Sequence, residues 1–281
     1  MKLILVISCL MLVNACSMDQ MMVRSSTPLI ESGVEALNHE TDLELAEDSI
    51  PANLNMLQGM IKIDPENNQL HTYAAQAFYG LAYGFNEDNR PERASDFYVR
   101  GTRHGLTALD AGNLRDVPIA DFEKRVSRMG KGDVPAMFWT ASNWAKWIDM
   151  HRDDPEAIAE LARATALMQR VIDLDETFYY GGAHMYFGVY YGSRPQMLGG
   201  NFEKSAQHFD RAREITDGKL LIPDLLQAQY LARQQQNQKD FHDRLTSIIN
   251  APDDLMPELG LQNQIAKRKA RLLLEKESQW F

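Results

Sequence analysis

The histidines, acidic residues and serines of this chain could in principle support catalysis, but their spacing matches no catalytic or metal-binding motif. The chain has seven histidines. None belongs to a His-Glu-x-x-His pair or to another common ligand spacing, and no Gly-x-Ser-x-Gly elbow occurs. His151 with Asp153 and Asp154 could hold a metal weakly, yet this group is better explained as a polar helix end. We therefore expect no catalytic residue, no metal and no cofactor.

Two Gly-Gly steps, at residues 181–182 and 199–200, are the candidates for a phosphate loop. No Lys-Ser or Lys-Thr follows either step, and no strand is predicted before it. Both steps are interpreted instead as turns or as points of close helix packing. The net charge of −10 and the lack of a basic tract also argue against a nucleic-acid partner.

The chain has two cysteines, Cys9 and Cys16. Cys9 would leave with the leader, whereas Cys16 points to a different chemistry, acylation. Lys2 precedes an apolar run over residues 3–13, and Ala15 stands directly before Cys16. This is the layout of a secretory leader with a cleavage site. It resembles the bacterial lipoprotein leader, in which the cysteine is lipidated and becomes the new N-terminus.

Three segments follow from this leader. Residues 1–15 are predicted to be a lipoprotein signal peptide, residues 16–30 a lipidated N-terminus and tether, and residues 31–281 a helical domain. A lipid on Cys16 would attach the protein to a membrane from the periplasmic side, and Ser17 favours the outer membrane. A plain secretory leader cut nearby is the alternative. The apolar run itself is shorter than the ~20 residues that span a bilayer.

The elements around these residues are predicted to be helices. Ala, Leu, Met, Gln, Glu and Arg recur at helical spacing, and no alternating Val/Ile/Thr run stands between turn signals. Prolines, Pro51 among them, are expected near helix boundaries. Without a low-complexity stretch or linker after residue 30, the chain is expected to form one compact all-α domain.

Repeated helix pairs organise this domain. A first helix from about Gln69 and a second over residues 91–109 form one pair, and residues 178–191 and 201–215 form another. Residues 155–175 are predicted to be a further second helix, directly before residue 178. Small and large residues recur at offsets of four and then three, which places each trio on one helical face. The trios are 94/98/101, 164/168/171 and 205/209/212. They predict degenerate tetratricopeptide-like repeats, although an ordinary antiparallel bundle would show such trios too.

Three stretches of the sequence together resemble one particular protein family. They are residues 41–70 (TDLELAEDSIPANLNMLQGMIKIDPENNQL), 134–149 (VPAMFWTASNWAKWID) and 181–212 (GGAHMYFGVYYGSRPQMLGGNFEKSAQHFDRA). In this order they resemble the TatT family, the tetratricopeptide-type lipoproteins associated with tripartite ATP-independent periplasmic (TRAP) transporters. The resemblance runs from about residue 30 to 270, and it weakens in the tail after Asn250.

The resemblance implies a function as well as a fold. Its members are periplasmic, membrane-anchored and all-helical, and they are thought to form homo-oligomers, with a trimer as the expected state. They are thought to bind the solute-binding protein of a TRAP system and to contain an apolar cavity or pore for a hydrophobic ligand. We therefore expect a non-enzymatic scaffold that assists uptake of an organic ligand. A scaffold for outer-membrane or envelope protein assembly and a hydrolase with an unrecognised site are the alternatives.

Two predicted helices, over residues 134–149 and 178–191, are rich in aromatic residues and contain or precede the candidate binding residues. Core packing explains many of these rings, but rings on several faces of one helix cannot all be buried in a single seam. Arg194 lies on the loop after the second aromatic helix, where repeat proteins often bind partners. The candidates for ligand or partner binding are Trp139, Trp144, His184, Tyr186, Tyr190, Tyr191 and Arg194.

Overall fold

The structure is a computed structural model that describes residues 18–109 and 114–281. Within these two ranges the regular structure is helical and no strand occurs, which confirms the all-α prediction. The signal peptide and Cys16 lie outside the described residues.

The α-helices connect directly or through short turns. They are α1 (Thr27–Asn38), α2 (Leu43–Ile63), α3 (Asn68–Leu81), α4 (Pro91–Ala108), α5 (Ile119–Val126), α6 (Val134–Met150), α7 (Pro155–Ala159), α8 (Leu161–Asp175), α9 (Phe178–Gly192), α10 (Phe202–Ile215), α11 (Ile222–Leu226), α12 (Gln238–Asn250), α13 (Gly260–Leu274) and α14 (Glu277–Trp280). Two π-helical segments, Ala82–Asn86 and Gln227–Ala232, continue α3 and α11. Short 3₁₀ turns lie at Lys131–Asp133, Gln196–Leu198 and Pro257–Leu259.

Side-chain caps fix where several helices begin. The carboxylate of Asp42 accepts hydrogen bonds from the backbone N–H groups of Glu44 and Leu45 at the start of α2. Asn67 and Asn201 cap α3 and α10 in the same way. Each cap satisfies backbone donors that have no partner inside the helix.

Pro51 was expected near a helix boundary, and the structure shows that this expectation was wrong. Pro51 lies inside α2, which runs without interruption from Leu43 to Ile63. A proline removes one backbone hydrogen bond from a helix interior. The buried face of α2, which includes Ile50 and Leu54, packs into the core and holds the helix together across that position.

Antiparallel helix pairs build the domain as predicted. α3 packs along α4, α9 packs along α10, and α6 lies against α4 and α8. The nine residues of the three trios are all buried. They are Ala94, Tyr98, Gly101, Ala164, Met168, Val171, Ser205, Phe209 and Ala212.

The centre of the fold is α6, whose aromatic residues pack on several sides. Its Asn143 is fully buried, and the side-chain amide donates to the backbone carbonyl of Ala75 in α3 at 3.0 Å. A Cβ atom on Gly105 of α4 would lie 2.9 Å from the Cα atom of Thr140 in α6. This glycine therefore lets the two helices approach backbone to backbone.

The region predicted as a tether, residues 16–30, is helical where the structure describes it. Residues 18–25 form a helix, and α1 follows directly. Val23 is only 6% exposed, and the guanidinium of Arg24 forms a bidentate pair with Asp64 at 2.7 and 3.1 Å. A buried side chain and an ion pair give this segment a packing role that its irregular sequence did not indicate.

Candidate ligand cavity

The described part of the protein contains a cavity of about 730 Å³. Its walls come from the first helix of each pair, α3 and α9, together with α6, α13 and the N-terminal helices α1 and α2. Most of the lining side chains are aliphatic or aromatic. The volume lies in the range of about 300–1,000 Å³ that is usual for small-molecule sites.

The α3 wall is aromatic and tightly stacked. Tyr79 stacks on Tyr83 with ring centroids 5.7 Å apart and tilts against Trp139 of α6 at 5.5 Å. Tyr83 lies in the π-helical segment after α3. Burial raises the pKa of both tyrosines above the ordinary value, so both hydroxyls are neutral.

The α9 wall begins with an unusual backbone. Tyr179, Tyr180 and Gly181 have φ angles of 46°, 58° and 76°, which form a left-handed turn. Tyrosine rarely adopts this region because its Cβ atom crowds the backbone. The turn places the Tyr179 ring against Trp139 at 4.6 Å, and both rings line the cavity.

The Gly181–Gly182 step makes this wall possible. Gly181 takes the positive φ angle, and its Cβ atom would also meet Ile215 of α10 at 2.9 Å. At Gly182 a Cβ atom would lie 2.5 Å from the ring of Phe138. The sequence predicted a turn or close packing at this step. The structure shows the turn at Gly181 and close packing against Phe138 at Gly182.

Farther along α9, Tyr186 and Tyr190 stack at 6.1 Å on the cavity face. The Thr165 hydroxyl donates to the Leu161 carbonyl at 2.8 Å, so the Tyr186 hydroxyl donates to Thr165, also at 2.8 Å. Burial raises the pKa of Tyr186, which keeps the phenol neutral. The face thus presents rings rather than charges to a ligand.

Arg194 lies in the loop that follows α9. Its guanidinium carbon lies 3.8 Å from the centroid of the Tyr190 ring, a close cation–π contact. The backbone turns back directly after it, because Gly199 takes a φ angle of 87° and Gly200 packs against the Arg194 carbonyl, where a Cβ atom would lie only 2.0 Å away. The second Gly-Gly step therefore positions Arg194 at the cavity.

A polar cluster interrupts the apolar wall on α6. Lys146 forms ion pairs with Glu87 and Asp149, and Asp149 accepts a hydrogen bond from Tyr230 at 2.7 Å. Arg152 donates to Asp149 at 2.7 Å. Burial opposes the charged form of Lys146, but the charges of Glu87 and the surrounding groups raise its pKa well above the ordinary value. The cluster is therefore ionised and internally paired.

The seven predicted binding residues divide between the cavity and the core. Trp139, Tyr186, Tyr190 and Arg194 line the cavity. Trp144, His184 and Tyr191 do not belong to its lining.

The three residues outside the lining have packing partners. Trp144 is 1% exposed and packs edge-on against Phe122. His184 bonds to His208, with their Nδ1 atoms 3.0 Å apart, and Tyr191 stacks on the His208 ring at 5.8 Å. His184 and Tyr191 hold α9 against α10, whereas Trp144 packs α6 against α5.

Sequence reasoning missed other lining residues. Tyr79 and Tyr83 were absent from the predicted set, although they follow each other at four-residue spacing on a helix. Lys146 was also missed, although its position as a single lysine within the aromatic stretch of α6 could have indicated a polar site. Tyr230 gave no signal, because it reaches the cavity from the π-helical segment Gln227–Ala232, far from α6 in the sequence.

No group of three or more His, Cys, Asp or Glu residues in residues 18–109 and 114–281 is arranged to hold a metal ion. None of the helices in the same ranges is both long and apolar enough to cross a membrane.

The fold and the cavity define an all-α, helix-pair protein with an internal apolar site. The sequence profile of the TRAP transporter T-component family matches residues 39–281, and the chain belongs to this family. The match includes the tail after Asn250, where the resemblance was weakest. It supports a TRAP-associated role in transport. A comparison with curated proteins found no match.

Proposed function

We propose that this T-component is a non-enzymatic periplasmic scaffold that binds the solute-binding subunit of a TRAP transporter and holds an organic, hydrophobic ligand. The aromatic cavity carries this proposal, because its walls come from the first helices of both pairs, α3 and α9. The family match supplies the transport context. A cavity of about 730 Å³ with few polar lining atoms suits an apolar molecule.

The partner is proposed to dock where the cavity meets the surface. Leu29 and Met56 line the cavity and are 72% and 56% exposed. Ile158 and Leu198 are exposed lining residues on other elements. Exposed apolar side chains around an opening are typical of a protein interaction site. Contact with the solute-binding subunit there would let ligand pass without crossing open solvent.

Membrane attachment is proposed through a lipid on Cys16. The helix over residues 18–25 starts close to that cysteine and exposes Met18, Met21 and Met22. Metabolic labelling with a palmitate analogue should label the wild-type protein and not the Cys16→Ser variant. An unlabelled wild-type protein would remove the anchor from the proposal. Fractionation of the envelope then tests the expected location in the outer membrane.

The central test compares two neighbouring tyrosines of α9. Tyr190 faces the cavity, whereas Tyr191 stacks on His208 away from it. Tyr190→Ala, and Tyr186→Ala with it, should weaken binding of ligand and solute-binding subunit more than they lower the free energy of unfolding. Tyr191→Ala should instead lower stability and leave binding unchanged. Thermal melts measure stability, and calorimetric titration with a TRAP solute-binding protein from the same organism measures binding.

Equal binding by the folded Tyr190→Ala protein would contradict a ligand role for this wall. Affinity capture of the mature protein from the cell envelope adds a second test, since it should recover a TRAP solute-binding protein. Recovery of outer-membrane assembly proteins instead would favour the assembly scaffold. Native mass spectrometry tests the proposed homo-oligomer, for which a trimer is expected.

A further inference from the structure

The charges that line the cavity are unlike those of the whole chain. The chain carries a net charge of −10. Its charged lining residues are Lys146, Asp149, Arg152 and Arg194, so basic groups outnumber the acidic one. An acidic protein that concentrates positive charge in an apolar cavity favours a negatively charged ligand there.

Two of the basic groups are already neutralised by protein. Lys146 pairs with Glu87 and Asp149, and Arg152 pairs with Asp149. Their charges are therefore satisfied within the polar cluster on α6. A ligand could pair with Lys146 or Arg152 only by displacing the carboxylates that already bind them.

Arg194 differs from both. Its side chain makes no ion pair and no hydrogen bond with any residue in the ranges 18–109 and 114–281; its contact is the face of the Tyr190 ring. Stacking on a ring occupies the flat face of a guanidinium and leaves its N–H edge free. That edge has the fork geometry that binds a carboxylate or phosphate through two parallel hydrogen bonds.

Arg194 is also held in place rather than loosely attached. Gly199 and Gly200 close the backbone directly behind it, and Tyr190 is itself stacked on Tyr186. A positioned donor loses less side-chain entropy when it binds an anion. The same rings that hold Arg194 would contact the apolar part of the ligand.

We propose that the cavity takes an amphipathic organic anion, whose carboxylate or phosphate head group pairs with Arg194 while its hydrocarbon body lies among the aromatic rings. This inference rests on the proposed ligand-binding function and narrows it to a chemical class. It assigns Arg194 the recognition of the head group and assigns Trp139, Tyr186 and Tyr190 the contact with the body.

The test uses the mature full-length protein, stripped of bound lipid, and three probes whose tails are alike to within one carbon: dodecanoate, methyl dodecanoate and dodecyl phosphate. Trp139 lines the cavity, so tryptophan fluorescence reports binding, and calorimetry measures affinity. Wild-type protein should bind dodecanoate about tenfold or more tightly than the methyl ester, because a charge-assisted bidentate contact is lost in the ester. Comparison of dodecyl phosphate with dodecanoate shows which anionic head group the Arg194 guanidinium prefers.

Arg194→Met should remove the preference for the anions and leave affinity for the ester unchanged. Arg194→Lys should keep part of the preference, since it retains charge without the fork. Arg93→Met is the matched control, because Arg93 also stacks on a ring, Phe97, but neither residue lines the cavity. Circular dichroism and melting of each variant check the fold.

The outcomes separate this inference from the proposed function. Equal wild-type affinity for dodecanoate and its ester, or an equal loss of both in Arg194→Met, would overturn anion recognition while ligand binding stands. No binding of any probe would overturn both the ligand-binding function and this inference. A preference for either anion that disappears in Arg194→Met supports the inference and names the head group.

Discussion

The two helix pairs α3/α4 and α9/α10 use the same internal contact and differ in what they present to the cavity. Each pair is joined by two histidines whose Nδ1 atoms lie close together, at 2.9 Å for His71 and His104 and 3.0 Å for His184 and His208. In each pair the second histidine stacks on a ring of the first helix, Phe78 or Tyr191.

The hydrogen bonds around each pair fix the tautomers. Nε2 of His71 donates a hydrogen bond to the Pro65 carbonyl, and its Nδ1 atom accepts a hydrogen bond from Nδ1 of His104. Nε2 of His184 donates to Glu176, a carboxylate that also binds Arg211. In each contact one Nδ1 atom accepts a hydrogen bond from the other ring, and the second pair also has the negative charge of Glu176 beside it.

On the cavity side the pairs diverge. The α3 wall continues into a π-helical segment beside Lys146, whose charge is paired with Glu87 and Asp149. The α9 wall begins with a left-handed turn and is followed by Arg194, which has no acidic partner among the described residues. The contrast teaches that helix pairing and the lining of the cavity are set by different faces of the same helices.

The largest expected effect concerns α8, which supports both regions through α6 and α9. Ala164 is fully buried, and Ala164→Asp should lower the free energy of unfolding by about 3 kcal/mol or more, because it buries an unpaired charge. Ala162→Asp, on the exposed face of the same helix, should change it by no more than about 0.5 kcal/mol. Urea unfolding measures both. A loss under 1 kcal/mol at Ala164 would show that α8 is not a common support.

A second prediction separates backbone contact from side-chain contact. Gly105→Ala places Cβ 2.9 Å from the Thr140 Cα atom, and Gly188→Ala places it 2.6 Å from the Phe209 ring. Both should destabilise by about 1–3 kcal/mol, with the larger loss at Gly105, since a backbone atom cannot rotate away. Gly59→Ala, with no atom within 4 Å, should stabilise slightly. A larger loss of stability for Gly188→Ala than for Gly105→Ala in thermal melts would contradict the prediction that the backbone contact matters more.

The smallest expected effect is the pH dependence of the histidine pairs. Burial lowers the pKa of His104 and His208 from 6.5 to about 4, and neighbouring positive groups add to this shift. The unfolded chain then binds more protons between these values, so stability falls as the pH drops from about 6.5 towards 4. Because the rings are half-exposed, we expect a loss of only ~1–2 kcal/mol between pH 7 and 5.

The double variant His104→Gln and His208→Gln should flatten stability over this range in chemical unfolding at each pH. His242→Gln is the control, because Glu277 raises the pKa of His242, so that its contribution has the opposite sign. An unchanged slope in the double variant would mean that these pairs do not control the acid response. Carboxylates such as Glu176, with a lowered pKa, contribute chiefly below this range.

Much of the fold could be predicted because helix pairing leaves a local pattern. The offsets of four and three at Ala164, Met168 and Val171 report a buried face within a few turns of one helix. Pro51 misled the prediction because tertiary packing of α2 outweighs one lost hydrogen bond. The helix over residues 18–25 is fixed by Val23 and Arg24 through contacts with distant residues, which no local period records.

The cavity was only partly predictable for the same reason. Tyr186 and Tyr190 are four residues apart, so their common face follows from the sequence. Whether that face meets a cavity or a core depends on which helix lies opposite, and His184 and Tyr191 proved to face α10. Tyr230 reaches Asp149 from 81 positions along the chain, beyond the range of any periodicity.

The left-handed turn at Tyr179 and Tyr180 has a consequence for protein engineering. Side chains other than glycine in this conformation cost about 1 kcal/mol each or more, so Gly or Asn at either position would relieve the backbone. The same replacement would delete a ring from the cavity wall. Directed evolution for heat resistance alone would accept such changes and remove aromatic rings from the cavity, so a screen on this protein needs selection for stability and for the proposed ligand binding at once.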